Sequence, residues 1–402
     1  MKQINKHKII NDPVWGFISI AHPLIFKIIE HPYFQRLRRI KQLGLTELVY
    51  PGANHTRFAH ALGAFFLMTK AIELLREKAV SITKAEEEAI YCGILLHDIG
   101  HGPFSHSLEF TLVKNIHHEK ISLAIMNKLN LEFNGALDLT ISIFLNTHPK
   151  RFLHQLISSQ LDMDRLDYLS RDSFYTGVNE GIVGAERLIH MLNVANNELV
   201  IEEKGVYSVE KFLVARRLMY WQVYLHKTVV IADGMLQKIV ARLSHLLNNK
   251  SITDTLPLHT FLKMQQDDEQ AMLDEFLKLD DNDVYLVIKQ GCYAEDLVLK
   301  MLCIQFLHRN LWEITLSNKK IPEQFMKSKH NALKEKYGFN DFDASFFSTQ
   351  GTLFNDAYIQ EGEDISILLK SGKIIDVAKA SDNYNLDALK KKVTKYFVSW
   401  AS

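Results

Sequence analysis

Cysteine is scarce: Cys92, Cys292 and Cys303 are the whole complement of 402 residues. So small and widely spaced a set excludes zinc-like pairing and a disulfide framework, and reduced thiols are expected. Net charge is absent too, because Lys+Arg and Asp+Glu both total 47. No global field then draws nucleic acid or a membrane, and a polyanionic substrate needs a local cluster of cations. No uninterrupted apolar stretch is long enough to span a bilayer, and no apolar h-region follows Met1-Lys2-Gln3-Ile4-Asn5-Lys6. The expectation is a cytoplasmic protein without a membrane partner. Repeats and low-complexity segments are missing as well. What remains is 47% hydrophobic and 23% charged, an ordinary globular composition whose length suggests roughly two or three domains.

Most prolines lie before Lys150, at Pro13, Pro23, Pro32, Pro51, Pro103 and Pro149, and they punctuate short helices. Asn11-Asp12-Pro13 and His31-Pro32 read as helix starts. Helices are predicted from Arg57 through Leu75, Lys84 to His97, Leu123 to Leu129, Gln160 to Arg171, and Ser208 to Leu247. Character shifts near Asn248-Asn249-Lys250. Beyond it a helix is expected at Asp267 to Leu279, Val284 to Ile288 suits helix or strand, and Asp364 to Leu369 with Lys373 to Val377 reads as a hairpin about Ser371-Gly372. The fold class is mainly α: a helical domain over residues 1–250, then a smaller α+β region over 251–402.

The segment Leu95-Leu96-His97-Asp98-Ile99-Gly100-His101-Gly102-Pro103-Phe104-Ser105-His106 carries the chemistry. It follows the apolar run Ala89 to Leu96, so a buried helix ends in His-Asp and breaks at two glycines. That delivers imidazole and carboxylate to the edge of a core, a donor set suited to a divalent first-row cation. Further ligands must come from elsewhere. Arg57 and His60 are three apart, on one helix face; alone, His60 reads as a hydrogen-bonded core histidine. Asp164, Tyr168 and Asp172 recur at i, i+4 and i+8, a stripe that alone suits a solvated acidic face partnered by Arg165 and Arg171.

Arg57-Phe58-Ala59-His60, His97-Asp98 and Asp164, taken together, resemble the H…HD…D signature of the HD-domain phosphohydrolases. The likeness is finer still: Phe34 to Gly44, Pro51 to Phe58, His97 to His106, His118-Glu119, Asp162 to Tyr168 and Tyr224-Leu225-His226-Lys227 resemble the deoxynucleoside triphosphate triphosphohydrolase branch, in order, over roughly residues 8–245. The resemblance implies His60, His97, Asp98 and Asp164 as ligands of one divalent ion (Mn, Fe, Zn, Mg or Ni), leaving positions open for phosphate and water. It implies His101 and His106 close to the α-phosphate and His118 as a histidine for proton transfer, with Glu109 as the acidic partner of the histidine pair. Arg57, Arg165 and Arg216 match phosphate-contacting positions, and Gln42 and Asp172 match residues that bond the sugar 3′-hydroxyl. Leu43 matches one lying against base or sugar, and Tyr168 and Tyr224 match aromatics that exclude a 2′-hydroxyl. The implied reaction is attack of water at the α-phosphorus of a dNTP, releasing deoxynucleoside and inorganic triphosphate.

Some members of that branch bind an activating nucleotide between subunits. Lys8, Ile9, Asn11, Gln35 and Arg38 match its reading positions, with Glu30 standing where the guanine-reading member has a shorter aspartate. A homo-oligomer is the matching expectation. The chain departs from the branch in lacking an accessory N-terminal domain and in a short stretch between His118 and Asp164. Two alternatives stand beside this reading: an HD phosphohydrolase of another nucleotide (a monophosphatase or cyclic-nucleotide phosphodiesterase), and a non-catalytic nucleotide-binding regulator. A nucleic-acid partner is not expected, since the basic run Lys390-Lys391-Lys392 suits a solvated helix face.

Overall fold

Capping decides where the two central helices begin. Thr56 caps the Arg57–Glu77 helix through the backbone N–H of Ala59, and Thr83 with Glu86 forms a reciprocal capping box on the Lys84–Leu96 helix. The computed structural model describes residues 8–113, 116–249, 256–264, 268–355, 364–382 and 393–401, and His106 in its backbone alone. It is dominated by helices. His118–Glu132, Met163–Thr176, Val206–Met219 and Lys227–Asn248 complete the set that surrounds the site. Arg57–Glu77 is long and apolar enough to cross a membrane, but 72% of its most apolar window is buried in the protein, where it lies between neighbouring helices.

Gly63 explains how closely it packs. A Cβ there would lie 2.0 Å from Oδ1 of Asp167 and 2.1 Å from Nη2 of Arg171, so only glycine lets the Met163–Thr176 helix approach. Gly100 does the same one layer away: a Cβ would meet the carbonyl of His118 at 2.2 Å and the amide of Ser122 at 2.4 Å.

Among the described residues, three small sheets flank the helices. Lys8–Asp12 and Gly16–Ile20 form an antiparallel hairpin in place of the helix start expected at Asn11-Asp12-Pro13. Asp12 does accept from the N–H groups of Val14 and Trp15, as a cap would, but Gly16 at φ +77° reverses the chain. Leu192–Ala195 and Glu198–Glu202 pair with Ser366–Leu368 and Ile374–Asp376, the last two being the predicted hairpin with Gly372 at φ +83°. Glu313–Ser317, Val393–Trp400 and Ser348–Asn355 form the third. Val284 to Ile288 is helical, inside Asp281–Gly291. The helix predicted from Asp267 is Glu269–Phe276; Asp267 itself and Lys390 to Lys392 lie outside the described residues.

The continuous helix predicted over Ser208 to Leu247 is broken. Tyr220–Tyr224 widens into a π-helical turn, and the Nδ1 of His226 caps a new helix by accepting from Thr228. An apolar period runs through the break, so only the backbone reveals it. The widened turn matters because it aims Tyr220 and Tyr224 at a cavity.

One apolar core runs from Ile18 to Ala401, joining both sides of residue 250. Buried Arg36 donates to the carbonyls of Leu279, Ile99 and His101, tying the start of the C-terminal region to the His97–His101 turn. Asp281 accepts from the N–H groups of Lys41 and Phe104 at 2.9 and 2.8 Å.

Candidate metal centre and substrate cavity

His60 is fixed before anything binds to it. Its Nδ1 meets Oδ2 of Asp167 at 2.7 Å, and Asp167 is held by Arg171 at 2.9 and 3.0 Å. Arg171, fully buried, continues to Asp12 at 2.8 Å, and Trp15 donates to Asp167 through its indole N–H. The first hairpin and two helices thus converge on one imidazole. His97 is fixed similarly, Nδ1 lying 2.7 Å from the carbonyl of Ile94. With both Nδ1 atoms committed, both Nε2 atoms point inward. Each is buried without a hydrogen-bond partner among the described residues, although Oδ1 of Asp164 is only 3.0 Å from His60 and 3.4 Å from His97. Lone pairs converging on a shared point rather than on one another are what a metal ion requires.

The ligand atoms of His60, His97 and Asp164 all lie within 4.8 Å of one another. Asp98 sits at the edge, 3.5 Å from Nε2 of His97 and 3.7 Å from that of His60, and is drawn aside by Arg57. The electrostatics agree with a cation. Burial would lower His60, but the neighbouring carboxylates of Asp164 and Asp167 outweigh it and raise its pKa to about 10. His97 rises to about 8, burial being outweighed by Asp98 and Asp164. Burial opposes ionisation of Asp164, yet the two histidines hold its carboxyl well below the usual range. The cluster seeks positive charge, and its two imidazoles and two carboxylates fit one divalent ion.

Beside it, the rings of His101 and His118 stack at 3.8 Å. His118 lies 2.7 Å from Glu109 through Nδ1, and its backbone N–H donates to the same oxygen at 2.8 Å. The His106 side chain lies outside the described atoms.

A cavity of about 560 Å³ opens from this cluster. Of the residues the sequence singles out, Gln42, Leu43, Arg57, Asp98, His101, His118, Asp164, Arg165, Tyr168, Asp172 and Tyr224 line it. His60 and His97, candidate metal ligands, lie behind its wall. Glu109 stands behind His118. Arg216 does not reach the wall: it is buried, bonded to Gln160 at 3.0 Å. Deep in the cavity Tyr224 donates to Oδ2 of Asp172 at 2.7 Å, while His55 meets Oδ1 at 2.7 Å and stacks on Tyr175.

A model of the HD domain matches residues 57–172, and a model of the HD-associated region matches 183–274. A solved structure, a phosphohydrolase from Bacteroides thetaiotaomicron VPI-5482, superposes with TM-score 0.95 at 47% identity, covering 99% of this chain and 100% of that one. The chain belongs to the HD-domain phosphohydrolase family. Protein YwfO of Bacillus subtilis (strain 168) is 30% identical over 394 residues, 94% of this chain and 89% of that protein. The deoxynucleoside triphosphate triphosphohydrolase SAMHD1 homolog of Dictyostelium discoideum is 32% identical over 239 residues, 55% of this chain and 46% of that protein.

The HD cluster has supports that the sequence did not single out. Asp167 lies beside the acidic stripe and faces the core, and Arg171, read from sequence as a partner on a solvated face, is buried with it; strict burial is invisible in a charged run. His55, Ser105, Tyr220, Asp233 and Gln237 also escaped notice. Asp233 left one signal, a carboxylate ending the apolar run Val229-Val230-Ile231-Ala232.

The cluster proposed for nucleotide activation is partly closed on itself. Lys8 pairs with Glu30, Arg38 bonds Gln35 at 2.8 Å and covers the Phe58 ring, while Ile9 and Asn11 are exposed on the hairpin.

Proposed function

We propose that this HD phosphohydrolase cleaves dNTPs to deoxynucleoside and inorganic triphosphate. The supporting observation is the Tyr224–Asp172 hydrogen bond in the cavity that also holds the His60, His97, Asp98 and Asp164 cluster. A carboxylate pinned by a phenol and by His55 is a rigid acceptor for a sugar hydroxyl. The rings of Tyr224 and Tyr168, 6.2 Å apart, would crowd a ribose 2′-hydroxyl. The likeness to the Dictyostelium discoideum triphosphohydrolase points the same way.

A divalent ion held by the cluster supplies Lewis acidity towards a phosphate oxygen and acidifies water. Arg57 and Arg165 offset phosphate charge. The Glu109 carboxylate keeps Nδ1 of His118 protonated, which leaves Nε2 as the end that can deliver a proton. Water oxygen bonds to the α-phosphorus and releases a proton to solvent, the bond to O5′ breaks, and the doubly protonated ring of His118 gives its Nε2 proton to the departing alkoxide. We carry with this reading a homo-oligomer, an activating nucleotide held at the Lys8–Glu30 and Gln35–Arg38 surface, and a C-terminal region (251–402) that braces the site.

One observation favours a shorter phosphate chain. Arg216 lies behind the cavity wall and Arg57 is committed to Asp98 and Ser105, so few cations face a triphosphate. Product analysis with Mn²⁺ and all four dNTPs, with and without GTP, decides. Deoxynucleoside plus triphosphate supports the proposal, and acceleration by GTP supports the second site. Monophosphate plus pyrophosphate, or turnover of a nucleoside monophosphate or cyclic nucleotide alone, replaces it. His97→Ala and Asp164→Ala should each abolish both bound metal and turnover.

A further inference from the structure

One carboxylate in the cavity has no part in the scheme above. Asp233, on the Lys227–Asn248 helix, lines the same cavity as Asp98 and Asp164. Its Oδ1 accepts from the Ser107 hydroxyl at 2.6 Å, and Gln237, one turn on, donates to the Ser107 carbonyl at 2.8 Å. No cation pairs with Asp233 among the described residues. Burial pushes its carboxyl up to about 6, with the Ser107 bond the opposing influence. One hydroxyl leaves such a carboxylate room for further donors, and the cavity is where they can come from.

Its place decides what the donor is. A carboxylate repels phosphate, and the phosphate end of the cavity is marked by Arg57, Arg165 and the metal ligands. Asp172 with Tyr224 takes the sugar. Asp233 instead stands by the Leu43–Gly44 turn: a Cβ on Gly44, whose φ is +51°, would lie 3.3 Å from Oγ of Ser107. Val229, Asp233 and Gln237 recur at i, i+4 and i+8 and line the cavity as one stripe. On another side of this turn of helix, Gly234 packs so tightly that a Cβ would lie 2.7 Å from Thr349, which fixes the stripe's rotation.

We propose that Asp233, aided by the carbonyl oxygen of Gln237, reads the base of the substrate and selects one with adjacent ring N–H and amino donors, the guanine pattern. Leu43 and Val229 offer apolar surface to the base, and the two acceptors face its donor edge. Thymine, with no exocyclic amino group, is the base least suited to them. This rests on the nucleotide reading of the cavity.

The test separates the two. Deoxyguanosine and thymidine carry no phosphate, so their binding to the Mn²⁺-loaded protein reads the Asp233 end without turnover. Tighter binding of deoxyguanosine, lost in Asp233→Asn, supports the assignment even if no dNTP is hydrolysed; equal or undetectable binding of both nucleosides overturns it. In turnover, Asp233→Asn should lower kcat/KM for dGTP relative to dTTP by about 10–100-fold and move preference towards dATP, whose edge an amide matches. Asparagine can still accept from Ser107, so melting temperature and metal content should hold. An unchanged dGTP/dTTP ratio in a variant that retains its metal overturns the proposal.

Discussion

Replacing Gly63 with alanine sets two physical effects against each other. Gly63 lies inside a helix, and helix propensity alone would reward alanine by about 0.5–1 kcal/mol. The structure reverses the sign. The new methyl would occupy space 2.0 Å from Oδ1 of Asp167 and 2.1 Å from Nη2 of Arg171, and neither group can swing into water because both are buried. Overpacking costs about 1–3 kcal/mol, and separating a buried ion pair costs about 3–5 kcal/mol when one partner is left alone. Partial relaxation leaves a net loss of about 2–5 kcal/mol, or about 4–10 °C at roughly 2 °C per kcal/mol for a large chain. Thermal melting with and without Mn²⁺ measures the loss. Displacing Asp167 also releases Nδ1 of His60, so metal retained after dialysis should fall with stability. A variant that melts at or above the wild-type temperature and keeps its full metal content would refute the clasp.

Other perturbations test other joints. Asp167→Asn removes the charge that orients His60, and metal affinity should drop by about 10–100-fold; competition with a fluorescent chelator reads it, and unchanged affinity sinks the role. Tyr224→Ala should relax the preference for dATP over ATP, because the ring that crowds the 2′ position is gone; an unchanged ratio removes Tyr224 from that task. Asp281 is raised to about 6 by burial, which outweighs the bonds from the N–H groups of Lys41 and Phe104. Its folded pKa thus lies above the unfolded value of about 3.9, so its contribution to stability is full below about 4 and is lost as pH rises through 6. Relative to Asp281→Asn, the wild type should gain up to about 3 kcal/mol between pH 7 and 4, at about 1.4 kcal/mol per unit. Parallel denaturation curves across that range would contradict the assignment.

The candidate metal cluster was legible because its residues come with local punctuation: a His-Asp pair at a helix end, a capped helix carrying Arg57 and His60, and Asp164 two residues past the Asp162 cap. Helix existence followed from periodicity for the same reason. What could not be read was direction. Asp12 bonds the two N–H groups a helix cap would bond, and only Gly16 makes the chain turn back. The break at Tyr220–Tyr224 interrupts no apolar pattern. Arg216 lies on the helix where sequence order puts it, yet its guanidinium ends against Gln160 rather than in the cavity. Local sequence specifies an element and its buried face; the side chain's last few ångströms depend on partners far along the chain, 56 residues away for Arg216 and 243 for Arg36.

Those distant partners explain why the C-terminal region matters to a site it does not enter through its own catalytic groups. Each of the two loops that shape the cavity, at Lys41–Gly44 and His101–Ser107, carries a backbone group bonded from beyond residue 278 or from a side chain bonded there. Arg36 holds the carbonyls of Ile99, His101 and Leu279 together, and its own pKa falls to about 10 because burial outweighs the attraction of Asp280. Asp281 bridges Lys41 to Phe104, the residue that holds a left-handed φ of 53° just before Ser105 bonds Arg57. Non-glycine backbone in that region costs about 1–3 kcal/mol and persists only where its surroundings over-determine it. Asp281 is one of those surroundings, so the C-terminal region holds the loop that sets Arg57 against Asp98, and with it the geometry of the metal cluster.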